Sequence, residues 1–377
     1  MFFRKGSCMK KVLFILGTRP EAIKLAPVIK ECERHNAQIV FRVCVTGQHQ
    51  EMLLPFLALF NIKPDYDLKI MKPNQDLFDV TSAALRGLQQ VLAIERPDIV
   101  LVQGDTTTAF AAALAAFYLK IRIGHVEAGL RTFDKYNPFP EEINRRLISH
   151  LADFHFAPTL RAKENLLAEG INPSSIFVTG NTVIDALFMI LEQTKDQDLL
   201  ANLCLDPKKT LILVTAHRRE SFDEGLTNIC LALKEVVRRA PDVEIVYPVH
   251  LNPNVRSTVN QFLKGVDRVH LIEPLDYVAF VHLMNRAKLI LTDSGGIQEE
   301  APSLGKPILV LRRVTERPEV VEAGAAKVVG VEPERIVQET LFLLENEEEY
   351  RKMASAPNPF GDGHAAERIV KILLGDC

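Results

Sequence analysis

The chain has 377 residues, of which 47% are hydrophobic, and its 45 basic and 48 acidic residues leave a net charge of −3. This balance argues against a nucleic-acid-binding protein, which typically carries a basic excess. At about 150 residues per domain, the length favours two domains. The sequence has no apolar run of about 18 residues, so no membrane-spanning helix is predicted.

The N-terminal segment resembles a secretory signal only superficially. Its apolar part is short, and Arg19 follows where a signal peptide needs small residues for cleavage. We therefore predict that residues 12–16 form the first strand. The six cysteines are scattered without a C-x-x-C pair, which favours reduced thiols in the cytoplasm over a disulfide framework or a zinc site.

Short apolar runs alternate with amphipathic stretches along the whole chain. The predicted strands lie within residues 12–16, 41–45, 98–102, 121–126, 154–158, 175–180, 211–215, 244–249, 269–273, 289–293 and 307–311. Amphipathic stretches such as 21–33 and 77–94 predict helices between them. Continuous β-branched runs separated by helices are typical of parallel sheets covered on both faces. We predict two doubly wound α/β domains with a boundary in the polar stretch 191–209.

Polar residues collect directly after the predicted strands. In open parallel sheets, ligands bind at the carboxyl ends of the strands. The polar segments at these positions are 18–24, 104–108, 127–132, 216–221, 250–254, 293–300 and 315–318. A candidate site is therefore predicted in each half of the chain.

The sequence Arg-Pro-Glu follows a predicted strand twice, at Arg19 and at Arg317. In the first copy, Thr18 and Glu21 match a capping box, which needs no ligand to explain it. Arg19 and Lys24 are not explained in this way, because a cation opposes the positive end of the helix dipole. Two cations at this position favour an anionic ligand.

Several candidate residues also have ordinary structural interpretations. Asp105 could cap the alanine-rich helix that follows it. Glu141 and Glu142 follow Pro140, and acidic residues are common in a first helical turn. His217 and His250 could be histidines with satisfied structural hydrogen bonds. The sequence leaves these alternatives open.

The sequence DSGGIQEE follows a predicted strand of the second half. Ser294, Gly295 and Gly296 turn into a helix predicted to begin near Ile297. Glycines let main-chain N–H groups approach a phosphate, although an ordinary glycine turn with a serine cap is the alternative. Glu300 could reach ribose hydroxyls. Neither G-x-G-x-x-G nor G-x-x-x-x-G-K-[ST] occurs at these strand ends, which argues against NAD and ATP.

Long motifs follow one another in order along the chain from Lys10 to the C-terminus: GTRPEAIKLAPVI, GDTTTAFAAALAAFY, GHVEAGLRT, PFPEEINRR, GNTVIDAL, TAHRRES, HLNPNV, LTDSGGIQEEAPSLGKPILVLR and TERPE. With these motifs the chain resembles bacterial non-hydrolysing UDP-N-acetylglucosamine 2-epimerases. The resemblance implies a glycosyltransferase-B-like fold of two Rossmann-like domains, residues 1–190 and 191–360, with the active site in the cleft between them. A C-terminal helix over residues 361–377 is expected to pack on the first domain.

The resemblance also implies roles for individual residues. The implied catalytic residues are Arg19, Asp105, Glu127, Glu141 and His217, with Lys24 beside them. The implied UDP-binding residues are His250, Phe280, Ser294, Gly295, Gly296, Glu300 and Arg317. A second UDP-N-acetylglucosamine is expected to bind at Gln48 and His49 and to promote closure, unless these residues only cap the next helix. No cofactor or metal is implied, and a cytoplasmic homodimer is expected.

This sequence departs from the family motifs in several places. Leu275 stands where a glutamine near the uracil is common, and Gln103 replaces a common histidine. Arginine and valine at 313–314 replace the common Asp-Thr. Asn74 or Gln75 occupies the segment in which relatives use an arginine, which predicts a weaker regulatory site.

The implied reaction is reversible epimerisation at C2 of the sugar, by anti elimination of UDP to 2-acetamidoglucal and re-addition. It requires at least two acid/base groups flanking C2 and cations on the departing diphosphate. The product would supply N-acetylmannosamine units for surface polysaccharide. The alternatives are a hydrolysing epimerase, a retaining glycosyltransferase and a UDP-sugar sensor without activity. The sensor predicts loss of the carboxylates, which are present.

Overall fold

The structure is a computed structural model that describes residues 9–47, 50–72, 74–218 and 224–375, with the backbone alone for residues 50–52. The chain divides into two compact units. The first unit runs up to Ala186 and includes the chain from Phe360 onward, and the second unit is Leu187–Pro359.

The first unit contains a parallel sheet of seven strands. These are β1 (Lys10–Leu16), β2 (Ile39–Val45), β3 (Tyr66–Asp67), β4 (Ile99–Gln103), β5 (Arg122–Val126), β6 (Phe154–Ala157) and β7 (Ile176–Val178). Their order is β3-β2-β1-β4-β5-β6-β7. The helices are α1 (Arg19–Arg34), α2 (Gln50–Leu59), α3 (Leu77–Glu95), α4 (Thr107–Tyr118), α5 (Glu141–Leu151), α6 (Leu160–Ala168) and α7 (Thr182–Gln193), of which α7 continues into the second unit.

The second unit contains a parallel sheet of six strands. These are β8 (Thr210–Thr215), β9 (Val243–Pro248), β10 (Val269–Ile272), β11 (Leu289–Thr292), β12 (Ile308–Val310) and β13 (Ala326–Val328), in the order β10-β9-β8-β11-β12-β13. The helices are α8 (Glu224–Arg239), α9 (Pro253–Leu263), α10 (Tyr277–Arg286), α11 (Gly295–Glu300), α12 (Pro318–Glu322), α13 (Pro333–Glu345) and α14 (Glu347–Ala354). The last helix, α15 (Ala365–Gly375), belongs to the first unit.

The predicted fold class is confirmed, because each unit is a doubly wound, Rossmann-like parallel sheet with helices. Every strand predicted from the sequence is present. Central strands such as β4 are buried along their whole length, which explains their uninterrupted apolar sequence. The edge strands β3 and β13 were not predicted, because strands of two and three residues contain no long apolar run. No helix in the described part of the chain is long and apolar enough to cross a membrane.

The terminal helix α15 packs against α1 and is anchored at its first turn by Asp185 of α7. The Asp185 carboxylate accepts main-chain hydrogen bonds from Ala365 (3.2 Å) and Ala366 (2.8 Å). Burial raises the pKa of Asp185 to about 6, although both N–H donors act in the opposite direction. The cost of removing this carboxylate from water therefore outweighs its two hydrogen bonds.

We expect this carboxyl group to make folding pH-dependent. As pH rises from about 4 to about 6, the unfolded chain releases the Asp185 proton before the folded chain does, which reduces the free energy of unfolding by up to about 3 kcal/mol. The Asp185→Asn variant lacks this titration. Urea unfolding at a series of pH values should show wild type losing stability relative to Asp185→Asn across this window. A difference between the two proteins that stays constant with pH would contradict the expectation.

Candidate active site

The candidate residues of the first unit lie at the carboxyl ends of three neighbouring strands. The strand order reverses between β1 and β4, the type of position at which doubly wound sheets bind ligands. Arg19 follows β1, Asp105 follows β4 and Glu127 follows β5. Gln103 of β4 pairs with Val126 of β5, so parallel register brings the next residues of both strands to the same edge.

Glu127 is held by two side-chain donors. Lys24 of α1 forms an ion pair with Glu127 Oε2, and Asn181 Nδ2 donates to the same oxygen at 3.0 Å. The side chains are 17% exposed for Lys24 and 9% for Glu127, so water screens this pair less than a surface pair. Glu127 has a φ of 67°, a left-handed conformation that is uncommon for a residue with a side chain.

Asp105 forms a second carboxylate–cation pair, with Arg145 of α5. The Asn144 amide donates to the main-chain carbonyl of Asp105 at 2.9 Å, which joins α5 to the end of β4 a second time. Burial raises the pKa of the Asp105 carboxyl, Arg145 opposes this effect, and the charge of Glu127 reinforces it. A neighbouring carboxylate disfavours ionisation of a carboxyl group in this way because the two negative charges repel each other.

In the structure, Asp105 does not cap the helix that follows it. Thr106 is the N-cap of α4, and its hydroxyl accepts a hydrogen bond from the Ala109 N–H at 3.0 Å. The carboxylate of Asp105 is therefore not needed to begin the helix. Glu141 is half-buried in the first turn of α5, where the sequence placed an acidic residue.

The capping box predicted at the start of α1 is present. Glu21 is buried and accepts hydrogen bonds from the main-chain N–H groups of Gly17 (3.0 Å) and Thr18 (2.7 Å) and from the Thr106 hydroxyl (2.7 Å). These contacts give Glu21 a structural role. Arg19, by contrast, is exposed at the first residue of α1.

Gly17 allows the close approach of the elements around this end of the sheet. A Cβ atom at this position would lie 2.5 Å from the hydroxyl oxygens of both Thr46 and Thr108. Any larger residue would therefore separate the end of β1 from the start of α4.

In the second unit, Asp293 organises the corresponding strand ends. The strand order reverses between β8 and β11, and these strands pair through Thr215 and Thr292. Asp293 is fully buried, and its Oδ2 accepts main-chain hydrogen bonds from His217 (2.6 Å) and Arg218 (2.7 Å). This carboxylate therefore fixes the turn that presents His217.

His217 and His250 form a stacked pair. Their ring centroids are 5.1 Å apart and their planes differ by 8°. Burial lowers the pKa of His217; Asp293, 3.4 Å from Nδ1, opposes this effect, and the neighbouring His250 adds to it. His217 is 35% exposed, and His250 is exposed with Nδ1 accepting from the Asn252 N–H, so neither is a fully buried structural histidine.

Most of the remaining predicted UDP-binding residues lie in or beside the short helix α11. A Cβ atom at Gly295 would lie 3.7 Å from the guanidinium carbon of Arg317. The main chain of Gly295 and the guanidinium group of Arg317 are therefore close neighbours. Arg317 Nε donates to Glu299 at 2.6 Å. Glu300 is buried and accepts from the Tyr277 hydroxyl at 2.8 Å.

Helix α11 begins at Gly295, slightly earlier than predicted, and the side chain of its N-cap Ser294 makes no capping hydrogen bond. A Cβ atom at Gly296 would lie 4.0 Å from the Ser294 hydroxyl. Phe280 is half-buried in α10. Ser294 therefore occupies the N-cap position of α11 without the side-chain hydrogen bond that a serine cap would make.

The predicted regulatory residues Gln48 and His49 lie outside the described residues. Gln75, which lies in the segment where relatives use an arginine, uses both ends of its amide within its own loop, accepting from the Lys72 N–H (2.8 Å) and donating to the Ile70 carbonyl (2.6 Å). Its side chain is thus engaged in local structure.

Three site residues were not singled out from the sequence: Arg145, Asn181 and Asp293. Arg145 lies four residues after Glu141 and so on the same face of α5, which is a helical signal visible in the sequence. Asp293 directly follows a buried strand, a second usable signal. The contact of Asn181 with Glu127 joins residues 54 positions apart and has no local signature. Among the described residues, no group of three or more His, Cys, Asp or Glu side chains is arranged to hold a metal ion.

Comparisons with known proteins agree on one family. A family model described as UDP-N-acetylglucosamine 2-epimerase matches residues 30–374. The chain is 54% identical over 375 residues to the UDP-N-acetylglucosamine 2-epimerase of Campylobacter jejuni, covering 97% of this chain and 98% of that protein. It is 56% identical over 369 residues to the Yersinia pestis protein of the same name, with 96% and 98% covered. A crystal structure of the Neisseria meningitidis UDP-GlcNAc 2-epimerase bound to UDP-GlcNAc superimposes with a TM-score of 0.87 at 53% identity, covering 97% of this chain and 100% of that one.

Proposed function

The chain belongs to the UDP-N-acetylglucosamine 2-epimerase family, and from that premise we propose that it interconverts UDP-N-acetylglucosamine and UDP-N-acetylmannosamine. The observation that carries the proposal is the pair of carboxylates, Asp105 and Glu127, after adjacent strands, each joined to a cation. Inverting C2 requires removal of a proton from one face and delivery of a proton to the other. Two acid/base groups that influence each other electrostatically provide this capacity.

The proposed reaction is an elimination followed by an addition. One carboxylate takes the C2 proton, the C–H electron pair forms the C1=C2 bond, and the C1–O bond breaks with its electrons leaving on UDP. The intermediate is 2-acetamidoglucal. A proton then reaches C2 from the other face, and a phosphate oxygen re-forms the bond to C1. Atoms and charge balance without water, an oxidant or a cofactor. The group that acts as base in the forward reaction acts as acid in the reverse reaction, and the other group does the opposite.

We assign UDP binding to the second unit. Arg317 beside the main chain of Gly295 provides charge and N–H donors suited to a diphosphate. His250, Phe280, Ser294, Gly296 and Glu300 complete this proposed set, and His217 joins Arg19 and Glu141 among the proposed catalytic residues. Leu275 offers no side-chain hydrogen bond to uracil, so we assign that contact to a main-chain amide.

A single NMR experiment tests the proposal. Purified protein is incubated with UDP-N-acetylglucosamine in the presence of EDTA, and the anomeric signals are followed. We expect UDP-N-acetylmannosamine to appear at equilibrium without free sugar. Free N-acetylmannosamine with UDP would indicate a hydrolysing epimerase, and binding without conversion would indicate a sensor. Turnover that requires an added acceptor would indicate a glycosyltransferase.

We place the reaction in the cytoplasm, in agreement with the scattered cysteines, and propose that its product supplies surface polysaccharide synthesis. The described cysteines Cys32, Cys44, Cys204 and Cys230 form no disulfide.

We propose self-association of the first unit through α3 and α4. These helices carry three exposed aromatic residues, Phe78 (85%), Phe117 (54%) and Tyr118 (68%). Tyr118 also lines a cavity of about 440 Å³ between these helices. The exposed rings and this cavity would provide the apolar surface of such an interface.

Light scattering at micromolar concentration should give the mass of a homodimer. The double variant Phe117→Asp/Tyr118→Glu should shift this mass towards the monomer, because it places two charges on the proposed interface. Phe342→Glu in the second unit is the control, since Phe342 is also partly exposed (43%) but lies on α13. A monomeric wild-type protein would refute the proposal.

Regulation by a second UDP-N-acetylglucosamine at Gln48 and His49 is also a proposal. We expect mild sigmoidality in the forward reaction and slow turnover of UDP-N-acetylmannosamine until a trace of UDP-N-acetylglucosamine is added. The coupling between the two sites should be about 1–3 kcal/mol. The measurement compares initial rates of the reverse reaction with and without the trace addition. Equal rates together with hyperbolic forward kinetics would show that these residues do not regulate the protein.

A further inference from the structure

We propose that Asn181 is a positioning residue for Glu127 and that the returning C-terminal segment, beginning at Phe360, holds Asn181 in place. The inference rests on the proposed function, because it assumes that Glu127 acts on the substrate. It deepens that function by linking the carboxylate to a part of the chain that is remote in sequence.

The orientation of the Asn181 amide is determined by its two neighbours. Asn181 is 2% exposed, directly before α7. Its Oδ1 accepts a hydrogen bond from the Val183 N–H at 3.2 Å. Because a main-chain N–H can only donate, the oxygen must face Val183 and the NH₂ group must face Glu127. Asn181 therefore presents a donor to Glu127 Oε2, at 3.0 Å.

This contact restricts Glu127 in a way that Lys24 alone does not. The Lys24 ammonium is a point charge at the end of a flexible stem, which a carboxylate can follow as it moves. The Asn181 amide is short, buried and held by the helix start. With both donors on Oε2, the carboxylate has one preferred orientation. A catalytic carboxylate needs such support, because small displacements of a reacting group reduce turnover strongly.

The main chain at Asn181 is held in turn by the returning segment. The Asn181 N–H donates to the Phe360 carbonyl at 2.6 Å, and Phe360 is fully buried. Gly180 and Gly361 contact each other directly, since a Cβ atom at Gly180 would lie 3.3 Å from Gly361 Cα. A side chain at position 180 would therefore push the returning segment away from Asn181.

The direct test is Asn181→Asp. This variant keeps a side-chain acceptor for Val183 but replaces the donor facing Glu127 with an oxygen. We expect kcat to fall about 100-fold, with KM and UDP affinity by calorimetry changed less than about two-fold. Asn172→Asp is the control, because Asn172 also caps a helical turn of the first unit, through the Ser174 N–H. It should retain wild-type kcat.

A second pair of variants tests the returning segment. Gly180→Ala and Gly170→Ala impose similar backbone strain, because their φ angles are 88° and 81°. Only Gly180 has the returning segment against it, since nothing lies within 4 Å of a Cβ atom at Gly170. We expect kcat to fall at least about 10-fold more in Gly180→Ala than in Gly170→Ala.

The outcomes separate the inference from the proposed function. An active wild type with an equally active Asn181→Asp would overturn the inference and leave the function intact. If Asn181→Asp does not fold, Asn181→Ser replaces it in the test. Serine keeps a capping hydroxyl but is too short to reach Glu127, so we expect the same fall in kcat. If wild type does not epimerise the substrate, the contact between Asn181 and Glu127 can still be tested by the side-chain NH₂ resonance of Asn181 in ¹⁵N-asparagine-labelled protein. It should shift in Glu127→Gln if the contact exists, and an unchanged resonance would overturn the inference.

Discussion

Replacing Asp105 with asparagine should lower turnover of UDP-N-acetylglucosamine by roughly 10²–10⁴-fold, the usual contribution of one positioned acid/base group. Glu127→Gln should have an effect of the same order. Each amide preserves the shape of the carboxylate but cannot exchange a proton, and each loses its ion pair with Arg145 or Lys24. UDP affinity should be retained, because the proposed UDP-binding residues belong to the second unit.

The matched control is Asp98→Asn. Asp98 lies just before β4 and accepts a hydrogen bond from the Lys11 N–H at 2.7 Å, whereas Asp105 follows the other end of the same strand. The same chemical change at this end should leave turnover unaltered. Exchange of the C2 proton of the sugar with D₂O identifies the base. The variant that lacks the carboxylate which removes this proton should show no exchange when the reaction starts from UDP-N-acetylglucosamine. Near-normal turnover in both Asp105→Asn and Glu127→Gln would exclude the carboxylate pair as the acid/base machinery.

Arg19→Ala should lower turnover by roughly 10²–10³-fold, the usual cost of removing one charge-stabilising donor. Its effect on stability should be small and favourable. Arg19 is exposed at the first residue of α1, where a positive charge opposes the helix dipole and costs about 0.3–1 kcal/mol. Loss of activity with no loss of stability is the signature of a residue placed for a ligand.

Arg34→Ala is the control for Arg19→Ala, because Arg34 lies at the other end of the same helix. Arg34 is in the last turn of α1, its side chain is 76% exposed, and it pairs with Glu31. Its charge is favourable there, so its removal should cost a little stability and no turnover. The measurements are steady-state kinetics and thermal unfolding of both variants. Turnover of Arg19→Ala within a factor of about three of wild type would show that Arg19 is an ordinary surface residue.

The sequence was sufficient to determine the fold class and the positions at which polar residues collect. Buried parallel strands must be apolar throughout, so β4 and β8 are visible as uninterrupted runs, and the residues after such runs must meet at one edge of a sheet. The same reasoning explains why Asp105, Glu127 and His217 could be selected as candidates without a structure. The capping box at Thr18 and Glu21 was equally visible, because its spacing is local.

Only the tertiary structure decided what each of these side chains contacts. A carboxylate after a strand can cap a helix, pair with a cation or fix a turn, and its sequence neighbours do not distinguish these roles. Thr106, and not Asp105, caps α4. The carboxylate of Asp105 instead pairs with Arg145, which lies 40 residues further along the chain. Lys24, whose charge alone suggested an anionic ligand, is joined to Glu127, and Asn181 reaches Glu127 from a separate strand–helix turn held by the returning C-terminal segment. These contacts form between residues far apart in the chain, so they depend on how strands and helices pack and leave no periodic or local pattern in the sequence.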